Sequence, residues 1–244
     1  MNLNEAITEL EEHGYIVNEG KIGRALAAGA IALGSLFGLS NAKVPKNIND
    51  LQTDSTYTEI ELSEVPQNLK THDFYTANKI YYDTEDDYYY AVNGNKMVAT
   101  GGEVDDPENP TEINFDKNGI RKSMSTIFHN KKYDIDYLSK VIFDKDGKVE
   151  KIIDYYDKDG EDLRVIRNYK TKTGVEYYDT GEVKTEYKLD NDGEKHGILK
   201  MYYQNGKFAG SEKYIHGEYV EGSTKCVDGR RGGEALNCQI PMEN

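Results

Sequence analysis

Glu182-Val-Lys-Thr-Glu-Tyr-Lys-Leu-Asp-Asn-Asp-Gly193 decides the fold. In an extended chain Val183, Thr185, Tyr187 and Leu189 fall on one side, with Glu182, Lys184, Glu186 and Lys188 on the other, which is the pattern of a strand with one buried face. The Asp-Asn-Asp-Gly that follows is a turn. Gly supplies the positive φ that tight hairpins need, and the Asp or Asn carboxyl or amide oxygen accepts a hydrogen bond from the backbone two residues on. Working outward, the same phrase recurs as Tyr90-Ala-Val-Asn-Gly94, Phe115-Asp-Lys-Asn-Gly119, Phe143-Asp-Lys-Asp-Gly147, Tyr156-Asp-Lys-Asp-Gly160, Tyr178-Asp-Thr-Gly181, Tyr203-Gln-Asn-Gly206 and Tyr214-Ile-His-Gly217. Gly147, Gly160 and Gly174 are 13 and 14 residues apart, and Gly181, Gly193, Gly206 and Gly217 are 12, 13 and 11 apart. Each step is one strand plus one turn.

The expectation is a mainly β protein, an antiparallel meander of hairpin repeats. Leu163, Val165 and Tyr169 alternate as Val183 to Leu189 do, whereas Ile198-Leu-Lys-Met-Tyr-Tyr203 is apolar on both sides and is expected to be covered on both. The 20 Tyr and 6 Phe, with no Trp, suit a sheet whose aromatic rungs stack across strands while their hydroxyls stay wet, with little enclosed core. Residues 79–222 leave room for roughly ten to twelve strands.

The stretches Gly174-Val-Glu-Tyr-Tyr-Asp-Thr-Gly-Glu-Val183 and Gly193-Glu-Lys-His-Gly-Ile-Leu-Lys-Met-Tyr-Tyr-Gln-Asn-Gly-Lys207 resemble the MORN-variant repeats of bacterial YwqK-like proteins. The likeness is good over residues 174–222 and looser over 80–173. It implies a single sheet of β-hairpins and a non-enzymatic interaction scaffold, in some cases the antitoxin partner of a toxin. It supplies no catalytic residue. The extra turn residue in Phe143-Asp-Lys-Asp-Gly147 and Tyr156-Asp-Lys-Asp-Gly160 departs from the family's spacing.

Thirty basic and 44 acidic side chains give a net charge of −14. That sign disfavours a nucleic-acid groove or attraction to anionic lipid, both of which work through Lys and Arg. The acidity is either the solvated face of many strands or a docking surface for a basic protein partner.

Residues 1–42 share nothing with the repeats. Leu3, Ala6, Ile7 and Leu10 have helical spacing, with Asn4 placed as N-cap and Gly14 as a stop. Lys21-Ile-Gly-Arg24 then leads into the uncharged stretch Ala25 to Ala42. Three readings stay open for residues 25–42: an export signal cleaved after Ala42, a membrane anchor, or a soluble helix. Any membrane contact would run through this stretch if it is not removed. The first 15 residues also resemble leaders of tailed-phage proteins, which would place cleavage after Glu19 instead. Residues 43–78 read as a linker with one edge strand, and the acidic, Pro-containing stretch 101–110 as a loop inserted in the array.

Chemistry-bearing motifs are few. Asp144-Lys-Asp-Gly147, Asp157-Lys-Asp-Gly160 and Asp190-Asn-Asp-Gly193 look like pieces of a calcium loop. Aligned on the loop glycine, however, they put Ile142, Tyr155 and Lys188 at its first position and Ile153, Ile166 and Leu199 at its last. His13, His72, His129, His196 and His216 show no close metal spacing. No metal, cofactor or catalytic residue is expected. Cys226 and Cys238, in the Gly-rich tail 223–244, are either a disulfide suited to an oxidising compartment or two free thiols.

The sequence therefore points to a protein-binding β-repeat module, exported and of bacterial or phage origin. Its alternatives are a phage virion component with a cleaved leader and a cytoplasmic antitoxin-like protein. Tyr177, Tyr178, Tyr187, Tyr202, Tyr203 and Tyr214 are the candidate partner contacts, each also a candidate for simply filling a rung of the sheet.

Overall fold

The structure, a computed structural model, describes residues 44–101, 110–130, 135–232 and 238–239. The expected leader helix, the stretch 25–42, both cleavage points Ala42 and Glu19, and most of the loop 101–110 lie outside the described residues. Strand order is chain order throughout, in an antiparallel meander, with one short strand off the path. The chain divides into two compact units. Among described residues the first holds 44–150 with 157–159, and the second 151–156 with 160 onward.

In the first unit, α1 (Asp50–Thr53) and β1 (Tyr57–Ile60) precede two 3₁₀ turns and α2 (His72–Thr76). The strands β2 (Lys79–Asp83), β3 (Tyr88–Asn93), β4 (Lys96–Gly101), β5 (Thr111–Phe115), β6 (Arg121–Asn130) and β7 (Ile135–Phe143) follow. The stretch 43–78, expected to be a linker, is corrected here: from residue 44 it is folded onto the sheet. Its Val65 and Phe74 pack with Ile80, Ala91 and Val98, and Leu51 is also buried. The expected edge strand exists as β1, paired with β2 from Tyr57↔Asp83 to Ile60↔Ile80. The sheet here is not thinly covered. Ile80, Ala91 and Val98 lie in register and are buried, and their neighbours Tyr81, Tyr90 and Ala99, on the opposite face, are buried too. Strands buried on both sides need apolar residues at every position, and Tyr88-Tyr-Tyr-Ala-Val92 supplies them.

The second unit begins within β8 (Val149–Tyr155) and continues through β9 (Leu163–Asn168), β10 (Thr173–Tyr177), β11 (Val183–Leu189), β12 (Lys195–Tyr202) and β13 (Phe208–Ile215). β14 (Glu218–Tyr219) pairs only with β13, and β15 (Thr224–Cys226) and β16 (Arg231–Gly232) extend the sheet. The tail read as beginning at 223 thus contributes strands of its own. The alternation on β11 holds: Thr185, Tyr187 and Leu189 are buried. They border or belong to a core of Tyr187, Leu189, Leu199, Met201, Ala209, Cys226 and Cys238. Turn glycines such as Gly193 (φ 84°) and Gly206 (φ 77°) take the left-handed conformation the pattern demands.

Two expectations fail in this unit. Gly174 does not sit in a turn but inside β10, opposite Tyr187, and a Cβ at this position would fall within the Tyr187 ring. Its role is space for an aromatic side chain, not backbone freedom. β12 is covered on one face only, because Ile198 is 53% exposed while its neighbours in the pleat, Leu199 and Met201, are buried.

A tyrosine ladder and an exposed basic and apolar face

The six candidate tyrosines divide by position. Tyr187 is 5% exposed and lies in the core, where it has no surface to offer a partner. Tyr203 and Tyr214 pack against the same core from its margin. The hydroxyl of Tyr214 donates to Glu212 Oε2 at 3.0 Å, and burial, followed by the charge of Glu212, holds its pKa well above the ordinary value. Glu212 is itself buried, and that burial pushes its carboxyl upward despite hydrogen bonds from Tyr214 and Thr224. Lys195 stands among these groups, 3.0 Å from Glu176 Oε1 and 4.8 Å from the centre of the Tyr187 ring.

Tyr178 has a different task. Its hydroxyl donates to the carbonyl of Tyr202 at 2.8 Å, 24 residues along, and Tyr156 makes the equivalent bond to the carbonyl of Tyr177 at 2.9 Å, 21 residues along. Both tyrosines are the first residue of a turn phrase. Each reaches past its own hairpin to the end of a strand in the next, so the phrase carries its own repeat-to-repeat tie. At the end of the array Gln239 joins in: its Nε2 donates to the carbonyls of Tyr202 and Lys184 at 3.0 and 2.8 Å. It is held there by the neighbouring Cys226–Cys238 disulfide, whose Cα atoms are 5.2 Å apart. Tyr177 is half-buried, and its hydroxyl is pushed up by burial and then by Glu186.

Tyr202 is the candidate that faces out. The pairings Glu186↔Lys200, Lys200↔Ser211 and Ile198↔Lys213 put these residues on the face opposite the core. Tyr202 closes the row on β12, with its ring 6.1 Å from that of Phe208 in an edge-on arrangement. Its hydroxyl donates to Glu186 Oε2 at 2.7 Å, and that bond, with burial, raises its pKa to about 12. Ile198, Phe208 and Ile215 on this face are 53%, 46% and 44% exposed. Around them the pleat places Lys184, Lys188, Lys200, Lys213 and Lys225, with the acids Glu182, Glu186 and Glu218 among them. In a chain of net charge −14 this face is locally basic. Lysines therefore outnumber acids around the exposed aromatic and aliphatic side chains.

A second grouping escaped the sequence reading. Asp190, His196 and His216 each place a ligand-type atom within 4.8 Å of the other two. Their spacing along the chain matches no metal motif, but Asp190 and His216 are 26 residues apart, close to the separation at which the ladder tyrosines find their acceptors. In a meander, residues one hairpin apart return to the same edge. Reading the histidines at that interval was the signal available.

Among the described residues no helix is long and apolar enough to cross a membrane. No family model and no curated protein matches the chain. Two similar solved structures are those of TarM. One, a mutant of the S. aureus protein in complex with fondaparinux, alpha-GlcNAc-glycerol and UDP, is 17% identical over 80% of this chain, with a TM-score of 0.24. The other is 13% identical over 90% of this chain, with a TM-score of 0.17. The chain spans 31% of the length of each.

Proposed function

We propose that this chain is a non-enzymatic protein-binding module that works in an oxidising compartment. One observation carries the reading: the outer face of β11 to β13 gathers exposed Ile198, Phe208 and Ile215 with Tyr202 inside a frame of lysines. Apolar anchors with a charged surround are what a protein interface needs, since buried aliphatic and aromatic groups supply affinity and the surrounding charge sets orientation and on-rate. The frame is basic, so the partner presents an acidic surface there. The tyrosine ladder and the disulfide keep the face rigid, which lowers the ordering cost of binding. The disulfide is also the feature that favours export, because such bonds persist where the thiol pool is oxidising.

The test is a photo-crosslinking amino acid placed at Ile198 in the native host, with Ile198→Asp and Phe208→Asp as companions. A single acidic protein crosslinked at Ile198 and lost with Phe208→Asp is the expected result. If both Asp variants keep every interaction and the biological role of the wild type, this face is not the interface.

A further inference from the structure

We propose that Asp190, His196 and His216 form a binding site for a divalent transition metal of the zinc class. The three come from two successive turns on one edge of the second unit: Asp190 opens the turn after β11, His196 lies at the start of β12, and His216 occupies the turn between β13 and β14. His216 Nδ1 lies 2.7 Å from Asp190 Oδ2, and the two imidazole centres are 5.1 Å apart. Two imidazoles and a carboxylate are the donor set of many zinc sites, and imidazole also suits copper and nickel.

The neighbourhood orients these donors. Asp190 Oδ1 accepts the backbone N–H groups of Asp192 and Glu194, both at 2.9 Å, which fixes the carboxylate and turns Oδ2 toward His216. Such outer hydrogen bonds are what aim ligands in metal sites. His216 is held at φ 49°, a left-handed conformation that a non-glycine residue seldom adopts, and this projects its ring back over the previous hairpin. Ligand atoms bound to one zinc lie about 3.3 Å apart, given bonds of about 2.0–2.1 Å in a tetrahedron. The 2.7 Å contact is shorter than that value and every ligand atom lies within 4.8 Å of the others, so a bound ion would replace the His216–Asp190 contact and take the three donors around itself. With three protein ligands the fourth position is left to water or to a partner's side chain. The ion would join consecutive hairpins at the edge where the ladder tyrosines do not reach.

The experiment uses the full chain without an affinity tag, stripped with chelator. Co²⁺ is titrated while its visible absorption is followed, and Zn²⁺ is titrated by calorimetry. One ion per chain is expected, with affinity reduced at least about tenfold in each of Asp190→Asn, His196→Gln and His216→Asn, and unchanged in His72→Gln. Asp190→Asn retains the oxygen that caps the turn, and His216→Asn tolerates the left-handed backbone, so the variants test ligation rather than folding. Circular dichroism checks that they remain folded. Absence of binding, a loss smaller than tenfold in these variants, or an equal loss in His72→Gln overturns the proposal.

Discussion

Replacing Gly174 with Ala tests whether the sheet is specified by side-chain packing across strands or only by its turns. A glycine inside a strand ordinarily weakens it, so Ala there should stabilise by roughly 0.5–1 kcal/mol. Here the sign reverses. The new methyl group would occupy the volume of the Tyr187 ring, which lies over Gly174 and packs into the core with Leu189, Leu199 and Met201. Forcing extra atoms into such a site costs about 1–3 kcal/mol, and more if the ring is expelled, because removing a buried aromatic side chain costs about 3–5 kcal/mol. The expected result is a loss of about 2–4 kcal/mol by these magnitudes, read from urea unfolding followed by far-ultraviolet circular dichroism. The decisive comparison is a double-mutant cycle. In a Tyr187→Ala background the clash partner is gone, and Gly174→Ala should become neutral or stabilising, giving a coupling of several kcal/mol. Additive effects would refute the reasoning, since they would mean that the methyl group is accommodated by backbone movement with Tyr187 left in place.

Three further outcomes follow from the same geometry. Reducing or replacing the Cys226–Cys238 pair should cost roughly 3 kcal/mol for a loop of this length, with faster amide exchange confined to the end of the array around β13, β15 and Gln239. Tyr178→Phe removes one ladder bond and should cost about 1 kcal/mol, while leaving the Tyr202 carbonyl its bond from Gln239; a cost no greater than that of an exposed Tyr→Phe control such as Tyr75 would show that the ladder contributes nothing. Burial raises the Glu212 carboxyl above its unfolded value, so the native state binds that proton more tightly. The resulting destabilisation is full above the folded pKa and disappears as pH falls to the unfolded value. Glu212→Gln should therefore unfold at higher urea than wild type at neutral pH, and the gap should close on acidification; a gap independent of pH would remove Glu212 as its source.

What the sequence showed of the fold was what is local. The Asp-x-Asp-Gly turn is decided within four residues, and the alternation Val183 to Leu189 needs only the pleat to say which side is buried. What it did not show depends on partners distant in the chain. Gly174 looks like a turn glycine because the residue type is the same whether it is chosen for positive φ or for the absence of a Cβ; only the pairing with Tyr187 tells the two apart. Residues 44–78 read as a linker because their polar, Pro-containing composition hides the few anchors, Leu51, Val65 and Phe74, whose burial needs the sheet to be present first. Ile198 reads as buried because apolar residues stand on both faces of β12, and only its pairing with Lys213 on β13 marks its face as open.

The functional groupings were hidden for a related reason, and here the array gives a rule. A search for metal ligands at intervals of three or four residues assumes a helix, and one at intervals of two assumes a single strand. In a meander of this period the chain returns to the same edge after two strands and two turns. Tyr156 meets Tyr177, Tyr178 meets Tyr202, Gln204 meets Thr180 and Asp190 meets His216, at separations of 21, 24, 24 and 26 residues. The variation among those separations reflects turn length and the bulges that shift register between Glu176 and Tyr177 and between Met201 and Tyr202. A functional residue on one edge of such a sheet is thus to be sought one hairpin away from its partners. On that spacing the histidine of Tyr214-Ile-His-Gly217 is adjacent to the aspartate of Leu189-Asp-Asn-Asp-Gly193, although nothing in either phrase alone distinguishes it from a turn.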